Sequence, residues 1–178
     1  MPSSFRARGL LVLLLCAAAA AAGCSVPLPD GTASDTGVTG SSVTIVEAFP
    51  PGTIDADSIR QPYVSVGSGS PAANPELALI FEGSYGMNYQ SIGMRATVER
   101  EPFVIEYAVV PKTENPHYAF LICTVRDDGT GTAVIEEGYN RIYSSERTKQ
   151  IIIRKPGVYH LTWHGAMLDL TVRLYAGR

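Results

Sequence analysis

The sequence predicts an all-β fold, a two-sheet antiparallel β-sandwich of jelly-roll type with about eight or nine strands. Residues 43 to 178 alternate apolar and polar with period 2, and apolar residues at i, i+3, i+4 and i+7 are hard to find in any 11-residue window. Short strands separated by turn signals fit a sandwich or jelly roll better than an α/β fold. The 136 residues of this segment are enough for one domain with its own core.

The elements follow in order. Val43 to Phe49 reads as a first strand, stopped by Pro50-Pro51-Gly52, and Tyr63 to Val66 as a short second one, stopped by Gly67-Ser68-Gly69-Ser70-Pro71. Leu77 to Phe81 follows. Ile92, Met94, Ala96 and Val98 alternate with Arg95, Thr97 and Glu99; Phe103, Ile105, Tyr107 and Val109 then form one face of a strand closed by Pro111. Tyr118 to Val125 is apolar on both faces, with Phe120 and Ile122 on one and Ala119, Leu121, Cys123 and Val125 on the other, as a central strand requires. Asp127-Asp128-Gly129 and Thr130-Gly131 turn it into Thr132 to Ile135, a hairpin with Gly at a positive-φ position. A calcium loop would need carboxylates at alternate positions and a Glu at position 12, which this run lacks.

Near the C-terminus, a two-residue turn at Gly165-Ala166 pairs Trp163 with Leu168, Leu161 with Leu170 and Tyr159 with Val172, so inward residues meet inward residues. That register predicts a hairpin. The same test fails at Pro156-Gly157, where pairing would set Ile153 against His160 and mix faces, so there the chain is expected to pass to the other sheet.

What precedes the domain decides its compartment. Arg6 and Arg8 precede 13 residues, Leu10 to Ala22, that are all apolar or Cys. A membrane span needs about 20 apolar residues; this length is that of a secretory leader, residues 1–23. Ala21-Ala22-Gly23-Cys24 places small residues before a Cys, and the leader with this run resembles the lipobox of prokaryotic lipoproteins, with Ala21 where the family usually carries Leu. The resemblance implies cleavage before Cys24 and a multiply acylated Cys24, since one acyl chain binds membranes only marginally. It also implies an extracytoplasmic protein held to a membrane, and Ser25 after the Cys resembles the signal for the outer membrane where the host has one. The mature chain would keep only Cys24 and Cys123, too few for a disulfide framework. Between Cys24 and the domain, 14 of the 18 residues from Ser25 to Ser42 are Ser, Thr, Gly, Pro or Asp, a tether composition with a reach of roughly 20 to 25 Å.

Without Arg6 and Arg8, 12 basic residues face 17 acidic ones. Nucleic acid is therefore not an expected partner, because phosphate binding needs a basic stripe. The sequence holds no P-loop, Gly-x-Ser-x-Gly elbow or dinucleotide fingerprint, and no cofactor is expected. His160 and His164 form a His-x-x-x-His pair that on a strand stands roughly 13 Å apart, too far to chelate one ion; Asp169 lies diagonally between them, which leaves a site of one His with Asp169 conceivable, and a metal-assisted hydrolase using His160, His164 and Asp169 is the alternative function. Cys123, in a strand apolar on both faces, reads as a buried small hydrophobe rather than a nucleophile. Glu136-Glu137 and Asp127-Asp128 are adjacent and point apart, so neither makes an acid/base dyad. Gly83-Ser84-Tyr85-Gly86-Met87-Asn88-Tyr89 and Gly138-Tyr139-Asn140-Arg141-Ile142-Tyr143 read as loops carrying Tyr among Gly, Asn and Arg. Tyr85, Tyr89, Tyr139 and Tyr143 are thus the expected surface of a non-catalytic module that binds an envelope protein or a glycan.

Overall fold

A computed structural model of the chain describes residues 40–49, 61–68, 74–115 and 117–178. The leader, Cys24, the tether as far as residue 39, and the stop signals at Pro50-Pro51-Gly52 and Gly69-Ser70-Pro71 lie outside the described residues. Ten strands form: β1 Ser42–Val46, β2 Val64–Gly67, β3 Leu77–Met87, β4 Gln90–Val98, β5 Phe103–Pro111, β6 Phe120–Asp127, β7 Ala133–Tyr139, β8 Thr148–Ile153, β9 Gly157–Ala166 and β10 Leu168–Gly177. Among the described residues there is no helix long and apolar enough to cross a membrane.

Two antiparallel five-stranded sheets face each other, ordered β1-β4-β9-β6-β7 and β2-β8-β5-β10-β3. Strands β3 to β10 pair as a nested set: β6 with β7, β5 with β8, β4 with β9 and β3 with β10. This is a long two-stranded ribbon rolled up from its tip at β6–β7, the jelly-roll winding. The short strands β1 and β2 each add one edge, on β4 and β8, which carries the count past the eight or nine expected.

The expected inward faces are the observed ones. Met94, Ala96 and Val98 of β4, Phe103, Ile105, Tyr107 and Val109 of β5, and Tyr159, Leu161 and Trp163 of β9 all join one core. Aromatic contacts tie the sheets across it: Tyr107 meets Trp163 edge to face at 5.6 Å, and Phe103 stacks on Tyr159 at 5.6 Å. The β6–β7 turn is held by Asp127, whose Oδ1 accepts the N–H groups of Gly129 at 3.1 Å and Thr130 at 3.0 Å. Gly131 supplies the left-handed residue, φ +70°, and Asp128 pairs with Arg95 at 2.9 Å.

Two expectations are corrected. The terminal hairpin does not form: β9 bonds β4 and β6 in one sheet, while β10 bonds β5 and β3 in the other. The chain changes sheets at Met167, itself left-handed at φ 52°. Alternation fixes which residues face inward, and two strands opposed across the core satisfy the same inward-to-inward matching as two strands paired within a sheet. The crossing expected at Pro156-Gly157 is present, since β8 and β9 belong to different sheets. Secondly, Gly83–Met87 and Gly138-Tyr139 are strand rather than loop. Phe81, Tyr85 and Met87 oppose Leu174, Leu170 and Leu168, and Gly83 leaves room for the Phe81 and Tyr85 rings, which a Cβ there would meet at about 3 Å.

One ionic contact also crosses the core. Lys149 of β8 and Glu137 of β7 both face inward, and Lys149 Nζ lies 2.7 Å from Glu137 Oε1 while donating to Gly138 O at 2.9 Å. The Lys149 side chain is 4% exposed. Removing one partner of a buried pair strands the other charge, whereas replacing both with apolar groups does not. Lys149→Met is therefore expected to destabilise the domain by about 3 kcal/mol, and Lys149→Met with Glu137→Leu by markedly less. Urea unfolding of both variants checks this; equal losses would contradict the reading of the pair.

Candidate functional site

The four tyrosines expected to line a binding surface separate. Tyr85 and Tyr139 are buried in the core, and burial raises the Tyr85 hydroxyl above its ordinary pKa. Tyr143 is half-buried and donates to Glu136 Oε1 at 2.5 Å, while Thr124 donates to Glu136 Oε2 at 3.0 Å. Burial, then that hydrogen bond, pushes the Tyr143 hydroxyl up. Only Tyr89 is presented to solvent, 60% exposed.

The alternative metal set is not assembled. His160 and His164 lie on the outer face of one sheet, since their neighbours Leu161 and Trp163 face the core, and Asp169 lies on the outer face of the other between inward Leu168 and Leu170. A carbonyl only accepts, so His160 Nε2–H donates to Glu47 O at 2.9 Å; its ring packs on Phe49 at 4.3 Å. Asp169 pairs with Lys112 at 2.7 Å. Among the described residues no three His, Cys, Asp or Glu side chains converge as metal ligands. Cys123 is fully buried and its thiol pKa is raised well above the ordinary value, first by burial and then by Glu137 and Glu136.

What the fold does bring together lies at the end of the sandwich where β3 turns into β4, β6 begins and β9 ends. Phe120 points to the outer face, away from the core side of Leu121 and Cys123, yet is only 1% exposed. Three side chains cover it. The Arg141 guanidinium sits 3.4 Å from its ring centroid, Tyr89 meets it edge-on at 6.3 Å, and the His164 ring is tilted against it at 5.6 Å. Asn140 fixes the loop that carries Arg141: its Nδ2 donates to Ala119 O at 2.7 Å and its N–H to Ser144 O at 3.0 Å. Beside Phe120 and Arg141 in sequence stand Tyr118, 56% exposed, and Ile142, 77% exposed, the largest exposure of any described bulky apolar side chain.

The backbone is unusual at the same end. Tyr89, Asn140, Arg141 and Met167 are the non-glycine residues with positive φ among the described residues, at 53°, 59°, 55° and 52°. Such residues cost roughly 1 to 3 kcal/mol each outside glycine. All four are in the connections at this end. Ser91 Oγ lies 3.0 Å from His164 Nδ1, and the His164 pKa is lowered by burial first and by the Arg141 charge second.

Of this cluster, the sequence named Tyr89 as a surface residue, placed Arg141 and Ile142 in a candidate loop as companions of its tyrosines, and placed His164 in a different site; Tyr118 and Phe120 were read only as strand residues. The available signal was Phe120 at a strand start, on the face opposite Leu121 and Cys123, with Arg-Ile at an Asn turn nearby. Compared with protein-family models, with curated proteins and with solved structures, the chain matches none.

Because the folded His164 binds its proton less readily than the unfolded chain does, its contribution to stability is fully present above the unfolded pKa of about 6.5 and is lost as pH falls through the lower folded value. His164→Gln is expected to flatten the fall in melting temperature between about pH 7 and about pH 5. Thermal melts of both proteins across that range test it, and unchanged slopes would contradict it.

Proposed function

We propose that the protein is an extracytoplasmic lipoprotein, tethered to a membrane through acylated Cys24, whose β-sandwich is a non-catalytic module that binds an envelope protein. The single observation that carries the binding role is that Tyr89, which touches the Arg141-capped Phe120 ring, Ile142, next to Arg141 in the chain, and Tyr118, two residues before Phe120, are all more than half exposed. Exposed apolar groups gathered on a rigid rim mark interaction surfaces, and Tyr and Arg are the side chains that dominate binding energy at protein interfaces. A glycan is the second ligand class that exposed tyrosines suit, but Ile142, the most exposed of the three, offers neither a flat ring nor a hydrogen bond to a sugar.

The point at which the chain enters the sandwich supports the same reading. The chain joins the sandwich at Ser42, opposite Thr97, whereas the rim lies at the other end of β4, where Gln90 opposes Gly165. Those ends are roughly 25 Å apart at about 3.3 Å per residue. A domain hung from Cys24 thus carries its exposed cluster on the side away from the attachment.

Two measurements test the proposal. Intact mass of the membrane-extracted mature protein is expected to show an addition of lipid size that Cys24→Ala removes; an unmodified Cys24 would overturn the tether. Chemical cross-linking in intact envelopes is expected to give discrete protein adducts that Tyr89→Ala, Tyr118→Ala and Ile142→Ala together abolish without lowering the melting temperature. Adducts that survive the triple variant would move the binding surface elsewhere.

A further inference from the structure

Arg141 and Lys112 are held differently at this end of the sandwich. Lys112 is held by Asp169, but the Arg141 guanidinium makes no hydrogen bond or ion pair among the described residues and lies against the face of Phe120. A guanidinium lying on an aromatic ring keeps its in-plane N–H groups directed outward, as a flat fork matched to the two oxygens of a carboxylate. The fork is also positioned in advance. Arg141 and Asn140 are consecutive left-handed residues, and the Asn140 side chain bonds Ala119, the residue before Phe120, so ring and guanidinium are held by one short connection. Pre-positioning of this kind lowers the ordering cost of binding. Exposed Ile142 follows Arg141 in the chain, exposed Tyr118 comes two residues before Phe120, and exposed Tyr89 touches the same Phe120 ring.

We infer that Arg141, stacked on Phe120, is the receptor for a carboxylate of a protein partner, an acidic side chain or chain terminus with an apolar neighbour that seats against Ile142, Tyr89 or Tyr118. The inference rests on the binding role proposed above and specifies its partner as an acidic, partly apolar peptide segment. His164 is a built-in reporter, because its ring touches the same Phe120 and it feels the Arg141 charge. A carboxylate on Arg141 offsets that charge and moves the His164 pKa upward.

The experiment is a nuclear magnetic resonance titration of the detergent-solubilised mature protein, observing the His164 ring protons, assigned by their loss in His164→Gln. The probes are N-acetyl-Asp-Leu-amide, its uncharged isostere N-acetyl-Asn-Leu-amide, inorganic phosphate and glucuronate, each to roughly 10 mM, where weak single-site contacts saturate detectably. The acidic dipeptide is expected to shift the His164 signals in a saturable way and raise its pKa. The amide is expected to do neither, Arg141→Gln to abolish the response, and Arg141→Lys, which keeps the charge but not the fork, to weaken it. No saturable shift with the acidic dipeptide, or an equal response in Arg141→Gln, would overturn the inference. Tighter binding of phosphate or glucuronate than of the dipeptide would overturn it in favour of a phosphorylated or acidic-sugar ligand. Cross-linking separates the two levels: adducts lost in the Tyr89, Tyr118 and Ile142 variant but kept in Arg141→Gln defeat the carboxylate receptor alone, whereas adducts kept in both defeat the binding surface itself.

Discussion

The structure depends on closing one apolar core between two sheets that the chain crosses between repeatedly. Only the β6–β7 pair is local; β5 with β8, β4 with β9 and β3 with β10 join segments progressively farther apart in sequence. Each outer pair gains a partner surface only when the pairs inside it are in place. Trp163 on Tyr107, Tyr159 on Phe103 and Lys149 with Glu137 are then the contacts that hold one sheet over the other. A topology so dominated by distant pairings belongs to the slow end of folding rates, and the tightly fixed Asp127 turn at its tip is the natural place for pairing to begin.

Alternation made much of this legible. Burial of one face is a strong local constraint, so the inward residues of β4, β5, β6 and β9 could be read from the sequence, as could the two-faced character of β6 and the sheet change at Pro156-Gly157. What alternation does not encode is which sheet an inward face belongs to. Trp163 and Leu168 satisfy the same matching rule across a core as within a hairpin, and the turn at Met167 uses a left-handed methionine where sequence reasoning looks for glycine. The glycines of β3 misled in the opposite direction: Gly83 is a packing residue beneath two rings, not a turn residue.

The candidate site was less legible because residue type does not say which way a side chain points. Four tyrosines near glycines looked alike, yet Tyr85 and Tyr139 fill the core, Tyr143 is spent on Glu136, and Tyr89 alone faces out. His160, His164 and Asp169 are close in sequence, but the sheet change between them sends Asp169 to the opposite surface. The cluster around Phe120 draws on the β3–β4 turn, the start of β6, the β7–β8 connection and the end of β9, and no linear window contains it. The proposed leader and the acylation proposed at Cys24 rest on signals of another kind, since length, charge and a small-residue run before a Cys are local and need no fold.

The attachment of β1 has a mechanical consequence. β1 runs from Ser42 toward the rim, antiparallel to β4, with five residues in register from Ser42 opposite Thr97 to Val46 opposite Gly93. A pull applied at residue 42 against a partner gripping the rim acts along the strand axis. The ladder is then loaded in shear, its bonds sharing the force, rather than being opened one at a time from an end. Behind it, His160 of β9 donates to Glu47 O and packs on Phe49, so the segment that would slip next is already fastened one strand beyond β4. In this geometry the outermost and least buried strand of the sandwich is also the one suited to transmit tension.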